Sequence, residues 1–111
     1  MDDQELMREV LGVLLDDTGR QLLLLDAALQ SGDLDRCRRL AHYSKGACAN
    51  VGAGRAAAAC LRVEQHAAHG ETAACGQSLA ALREELEIMR REVDAALREE
   101  ITTPPTTDSP A

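Results

Sequence analysis

The residue types best suited to chemistry in this chain lie close together in one stretch, Ala41-His42-Tyr43-Ser44-Lys45-Gly46-Ala47-Cys48-Ala49-Asn50-Val51-Gly52-Ala53. An imidazole with a pKa near 6.5 is largely neutral at ordinary pH, and the neutral form is a nucleophile. Lys45 is the only lysine in a chain with eleven arginines. An ammonium three residues from an imidazole can reach an anion carried on that ring, acting as a compact point charge. Gly46 needs a reason, because glycine inside a helix costs about 1 kcal/mol relative to alanine. One reason is access: with no side chain there, something large can approach the neighbouring ring. Together these residues describe a histidine able to hold a phosphoryl group beside a cation on a surface cleared for a partner. The plainer reading is a solvated surface histidine.

Helices must position these groups. Met7, Leu11, Leu14, Thr18, Leu22, Leu25 and Leu29 recur every three or four residues, which predicts a long helix over about Asp3–Gln30. Gly12 and Gly19 allow a bend or break near Asp17–Gly19. Ser31-Gly32-Asp33 supplies a glycine stop and an aspartate cap for a second helix over Leu34–Asn50, with Leu34, Cys37, Ala41, Ser44, Cys48 and Val51 inward. On that helix His42 lies roughly 125° from the centre of the apolar stripe and points out of the bundle. Arg38, Arg39, Lys45, Gly46 and Ala49 share its face. Ala56, Ala59, Cys60, Val63 and Ala67 mark a third helix over Gly54–Ala68. Cys75, Leu79, Leu82, Leu86, Met89, Val93 and Leu97 mark a fourth over Thr72–Glu100. The expected fold is all-α, an antiparallel up-down-up-down four-helix bundle of residues 1–101. Residues 102–111 hold all three prolines among Thr, Ser and Asp and are expected to form a disordered tail.

Composition agrees and excludes several functions. The chain has 111 residues with no Phe, no Trp and one Tyr, so strand-rich folds and base stacking on aromatic rings are disfavoured. A net charge of −7 opposes binding to nucleic acid or anionic lipid. Within this acidic chain the stretch Leu34–Arg62 carries Arg36, Arg38, Arg39, Lys45, Arg55 and Arg62 against Asp35 alone, which suggests an anion or an acidic partner; the plainer reading is chance clustering on a solvated face. No apolar run reaches the roughly 18 residues of a membrane span, and Met1-Asp2-Asp3 is not the start of a secretion signal. A cytoplasmic protein with reduced cysteines is expected.

The stretch His42-Tyr43-Ser44-Lys45-Gly46, followed by Val51-Gly52-Ala53, resembles the H-x-L-K-G signature of histidine-containing phosphotransfer (HPt) domains with its later G-A or G-F. Leu14-Leu15-Asp16-Asp17-Thr18, Leu25-Asp26-Ala27-Ala28-Leu29, Gly32-Asp33-Leu34 and Val63-Glu64 extend the likeness over about Leu6–Leu97. The resemblance implies a phosphocarrier in a two-component phosphorelay. Its partners would be a response-regulator receiver domain, a hybrid sensor histidine kinase, or both. It would have no kinase activity, nucleotide site or cofactor of its own, and Mg²⁺ would reside on the receiver. By resemblance His42 is the phosphorylated nucleophile, Lys45 stabilises the phosphoryl group, Gly46 and Ala49 give access, Glu64 orients the imidazole, and Arg38 and Arg39 belong to the docking face. Ser44 departs from the usual Leu, which swaps an apolar contact for a hydroxyl that can bond back to the carbonyl of Leu40. The short helix that usually precedes the first long one is expected to be missing or very brief in this stretch of sequence.

Other signals are weaker. His66 and His69 form an H-x-x-H pair, but no fourth ligand stands at a recognised spacing; both are expected on the solvent side and no metal site is assigned. Cys37 and Cys48, about 16 Å apart along one helix, cannot bridge. Tyr43 either borders the docking face or only covers the bundle. Glu87 and Arg91 are placed for an i,i+4 pair. The alternative reading from another class is a non-catalytic helical adaptor or oligomerisation module that keeps this face without its chemistry.

Overall fold

A computed structural model describes residues 2–102, and these form four helices: α1 (Asp3–Gln30), α2 (Leu34–Asn50), α3 (Gly54–Ala68) and α4 (Thr72–Thr102). No strand occurs among the described residues. The expected tail lies outside them from residue 103 onward, and α4 runs two residues past its predicted end.

Each turn ends the preceding helix in the same way. Gly32, Gly52 and Gly70 take positive φ values of 76°, 77° and 71°, a region costly for any residue with a Cβ. The amide after each glycine then reaches back to a carbonyl five residues earlier: Asp33 to Ala28, Ala53 to Cys48 and Glu71 to His66. This closure satisfies carbonyls that the helix end would otherwise leave bare. Asp2 and Asp33 cap α1 and α2 by accepting from the amides of Glu5 and Arg36 at 2.8 and 3.1 Å. Ala53, in the same position before α3, provides no side-chain cap.

The apolar stripes form one core. Leu25, Cys37, Ala41, Cys48, Ala59, Cys60, Val63, Cys75 and Leu82 are each at most 1% exposed. The helices pack as neighbours in chain order, with α1 also against α4. Asp26 pairs with Arg83 at 2.6 Å and Asp16 with Arg90 at 3.8 Å along that last seam. Glu87 and Arg91 make the expected pair at 3.7 Å.

The structure decides three points that the sequence left open or placed otherwise. First, α1 passes Asp17–Gly19 without a break. The Thr18 hydroxyl bonds to the carbonyls of Leu14 and Leu15, and packing against α2 and α4 outweighs the glycine propensity. Second, Met7 is 51% exposed instead of buried, as are its neighbours Leu6 and Val10. Since Tyr43 of α2 pairs with Asp17 of α1, the end of α2 at Asn50 leaves the first turns of α1 uncovered. Third, the Ser44 hydroxyl is buried but has no hydrogen-bond partner among the described residues, so the bond to Leu40 is not made. Thr18 and Ser78, the other buried hydroxyls, do bond back within their helices.

An unpaired buried hydroxyl keeps its desolvation cost without recovering it. Ser44→Ala is therefore expected to raise stability by about 1 kcal/mol. A rise in the urea midpoint with unchanged slope would show this; a fall would mean that the hydroxyl is satisfied in solution.

Candidate functional site

The site is built from the outer face of α2 and one side chain of α3. The His42 side chain is 65% exposed, while the inward residues Ala41 and Ser44 on either side of it are buried and lock the phase of the helix. One turn on, Lys45 lies on the same flank. Val63 of α3 is completely buried, which leaves Glu64 at the α2–α3 boundary with only 18% of its side chain exposed.

Glu64 joins both residues. Its Oε2 lies 2.9 Å from His42 Nδ1 and its Oε1 lies 2.9 Å from Lys45 Nζ. The Lys45 ammonium and Oε1 form a close ion pair. Lys45, and after it His42, hold the Glu64 carboxyl below its usual value, although partial burial opposes them. An ionised carboxylate only accepts hydrogen bonds, so Nδ1 must carry the hydrogen of a neutral His42. Nε2 then presents a lone pair to solvent.

The depressed carboxyl has a consequence for acid stability. A folded-state value below the unfolded one contributes stability above the ordinary Glu range, and this is lost as pH falls through the folded value. Glu64→Gln is therefore expected to be less stable than the parent at neutral pH, with the gap closing below about pH 4. Urea midpoints measured from neutral to acidic pH test this; a gap that widens in acid would contradict it.

Gly46 faces open space, since a Cβ built there meets nothing within 4 Å. Its lack of a side chain therefore has no packing explanation inside the chain. Ala49, one turn further, is also exposed. Arg38 and Arg39 both lean on Asp35, Arg38 closely at 2.9 Å and Arg39 more loosely at 3.6 Å. Tyr43 is exposed on the α1 side, where its hydroxyl donates to Asp17 Oδ2 at 3.1 Å. It thus borders the His42 face and also ties α1 to α2.

Other sequence candidates fall elsewhere. His66 is not on the solvent side as expected. It is half-buried, with Nδ1 2.6 Å from the hydroxyl of Ser78, which itself donates to the carbonyl of Ala74. His66 is therefore the donor in that pair and helps to fasten α3 to α4. His69 is exposed and bonds the Gln65 carbonyl at 2.7 Å. The four cysteines are buried free thiols, and burial pushes Cys37 up to about 11. Among the described residues no three His, Cys, Asp or Glu groups are placed to hold a metal ion.

Sequence reasoning missed Asp17, the anchor for Tyr43, and the exposed apolar flank of α1 formed by Leu6, Val10, Val13 and Leu24. A second apolar stripe was readable at Leu6, Val10 and Val13, displaced from the core stripe. The bond to Asp17 was not readable, since it joins residues 26 apart.

The sequence profile of the Hpt domain matches residues 9–92. Among solved structures the fold is similar to that of a rice protein provisionally described as a histidine-containing phosphotransfer protein. The two share 24% identity with a TM-score of 0.78, and the match covers 85% of this chain and 69% of that one. No curated protein matches the chain. No helix among the described residues is long and apolar enough to cross a membrane.

Proposed function

The chain belongs to the Hpt domain family, and from that premise we propose that it carries a phosphoryl group on His42 to or from an aspartate of a receiver domain. The observation that supports this most is the exposed imidazole whose Nδ1 is held by an ionised Glu64, leaving Nε2 as the nucleophile beside an open Gly46. The Nε2 lone pair attacks the phosphorus of an aspartyl phosphate, the P–O bond to the carboxylate breaks, and the carboxylate leaves as the Nε2–P bond forms. Transfer in the other direction is the reverse of this step.

Each neighbour has a defined part. Glu64 fixes the tautomer and ring orientation, as a carboxylate does for other functional histidines. Lys45, 2.9 Å from the other oxygen of Glu64, needs only a side-chain rotation to meet the charge on a phosphorylated ring. Gly46 and Ala49 clear the approach of the receiver. Arg38 and Arg39 border the docking face, and Val13 and Tyr43 add apolar surface to it. In-line phosphoryl transfer depends on positioning and charge neutralisation, so the chain needs no kinase or nucleotide site of its own. Mg²⁺ is assigned to the receiver, and a hybrid sensor histidine kinase is the other candidate partner. The reading includes an antiparallel up-down-up-down order, supported by the register in which Asp26 meets Arg83 and Asp16 meets Arg90. It also includes a cytoplasmic location, where receivers and their kinases operate.

The test is incubation with phosphorylated receiver domains from the same organism. The expected product is this chain carrying an acid-labile, base-stable phosphate. Absence of label with every receiver would overturn the reading.

A further inference from the structure

A groove of about 390 Å³ runs between α1 and α2, lined by Gln21, Arg36, Arg39, Leu40 and Tyr43. It lies on the Tyr43 side of His42, opposite the flank where Lys45 and Glu64 meet. A molecule seated over His42 is therefore within reach of it.

Two features of this groove lack a counterpart among the described residues. The first is charge. Among the described residues Arg36 has no ion-pair partner, and Arg39 has only the 3.6 Å contact with an Asp35 already held more closely by Arg38. In a chain of net charge −7 this is a local positive excess. The second is an orphan acceptor: Gln21 Oε1 is buried and receives no hydrogen bond. A buried amide oxygen without a donor is costly, and rotation of the amide outward to a donor arriving with a partner would remove that cost. Neither feature takes part in the chemistry at His42.

We infer that this groove receives an acidic side chain from the receiver surface bordering the reactive aspartate, with Arg36 and Arg39 pairing with the carboxylate and the Gln21 amide turning outward so that Oε1 accepts an N–H from the same segment. The inference rests on the phosphotransfer reading and adds to it a site that selects among receivers. The groove is open, so each arginine acts as a rim charge. Rim charges set the rate of productive encounter and its dependence on salt more than the rate of the chemical step.

The experiment measures phosphoryl transfer from a receiver domain that labels the parent chain. In the double variant Arg36→Glu/Arg39→Glu, kcat/KM is expected to fall about tenfold or more through KM, with a weaker dependence on salt and an unchanged rate at saturation. The corresponding Gln variant should fall between the two. Gln21→Leu should lower kcat/KM severalfold without lowering the urea midpoint, whereas a purely structural glutamine would cost stability and leave KM alone. Unchanged KM in the double variant, a loss confined to kcat, or destabilisation by Gln21→Leu would each overturn the inference. A labelled parent with an unaffected double variant removes the groove alone. A parent that no receiver labels removes the groove and the phosphotransfer reading together.

Discussion

His42→Gln is expected to abolish phosphoryl acceptance, reducing label from a phosphorylated receiver by at least about a thousandfold, because an amide nitrogen is no nucleophile at neutral pH. The fold should be unaffected. His42 is exposed, and among the described residues its side chain bonds only to Glu64, so circular dichroism and the urea midpoint should change by no more than a surface substitution causes. The same result bears on competing nucleophiles. His66 donates its Nδ1 hydrogen to Ser78 at the α3–α4 seam and His69 bonds its own helix, so neither stands in the Lys45–Glu64 setting. Residual acid-labile label on either one would refute the assignment to His42.

The second large effect is expected from Gly46→Leu, which should separate stability from activity. A Cβ at Gly46 meets open space, and exchanging a mid-helix glycine for a strong helix former stabilises by about 0.5–1 kcal/mol. The branched side chain beyond that Cβ fills the approach to Nε2, where displacement of the receiver by even 1 Å costs about a hundredfold in transfer. A variant that melts higher but transfers about a hundredfold more slowly is the expected combination. Normal transfer by a stabilised Gly46→Leu protein would show that the receiver approaches from another direction. Gly46→Ala should fall between, since a single methyl intrudes little.

Much of this arrangement was legible in the sequence. The helix spans followed from heptad-like spacing and from Gly32, Gly52 and Gly70, each of which stops a helix through a conformation that other residues resist. The outward phase of His42 followed from the inward phase of Cys37, Ala41, Ser44 and Cys48. The parts that were not legible depend on distance in space. Periodicity counts Met7 as core, but whether it is buried depends on how far α2 extends along α1. Composition shows six cations around His42, but only the fold reveals that Asp35 holds two of them while Arg36 has no ion-pair partner among the described residues. The hydroxyl of Ser44 could have bonded its own helix, as those of Thr18 and Ser78 do, and the rotamer that decides this depends on its neighbours.

The contact between Glu64 and the imidazole also depends on residues that never touch it. Helix α3 is seated on Ala56, Ala59, Cys60 and Ala67, all buried and all small. These side chains act as shims that set the gauge between two backbones and hence how far a carboxylate on one can reach toward a ring on the other. Thickening a shim by one or two methylenes would lift α3 and lengthen that reach. The aim of the nucleophile could thus be retuned from the interior while every residue on the outer face stayed the same.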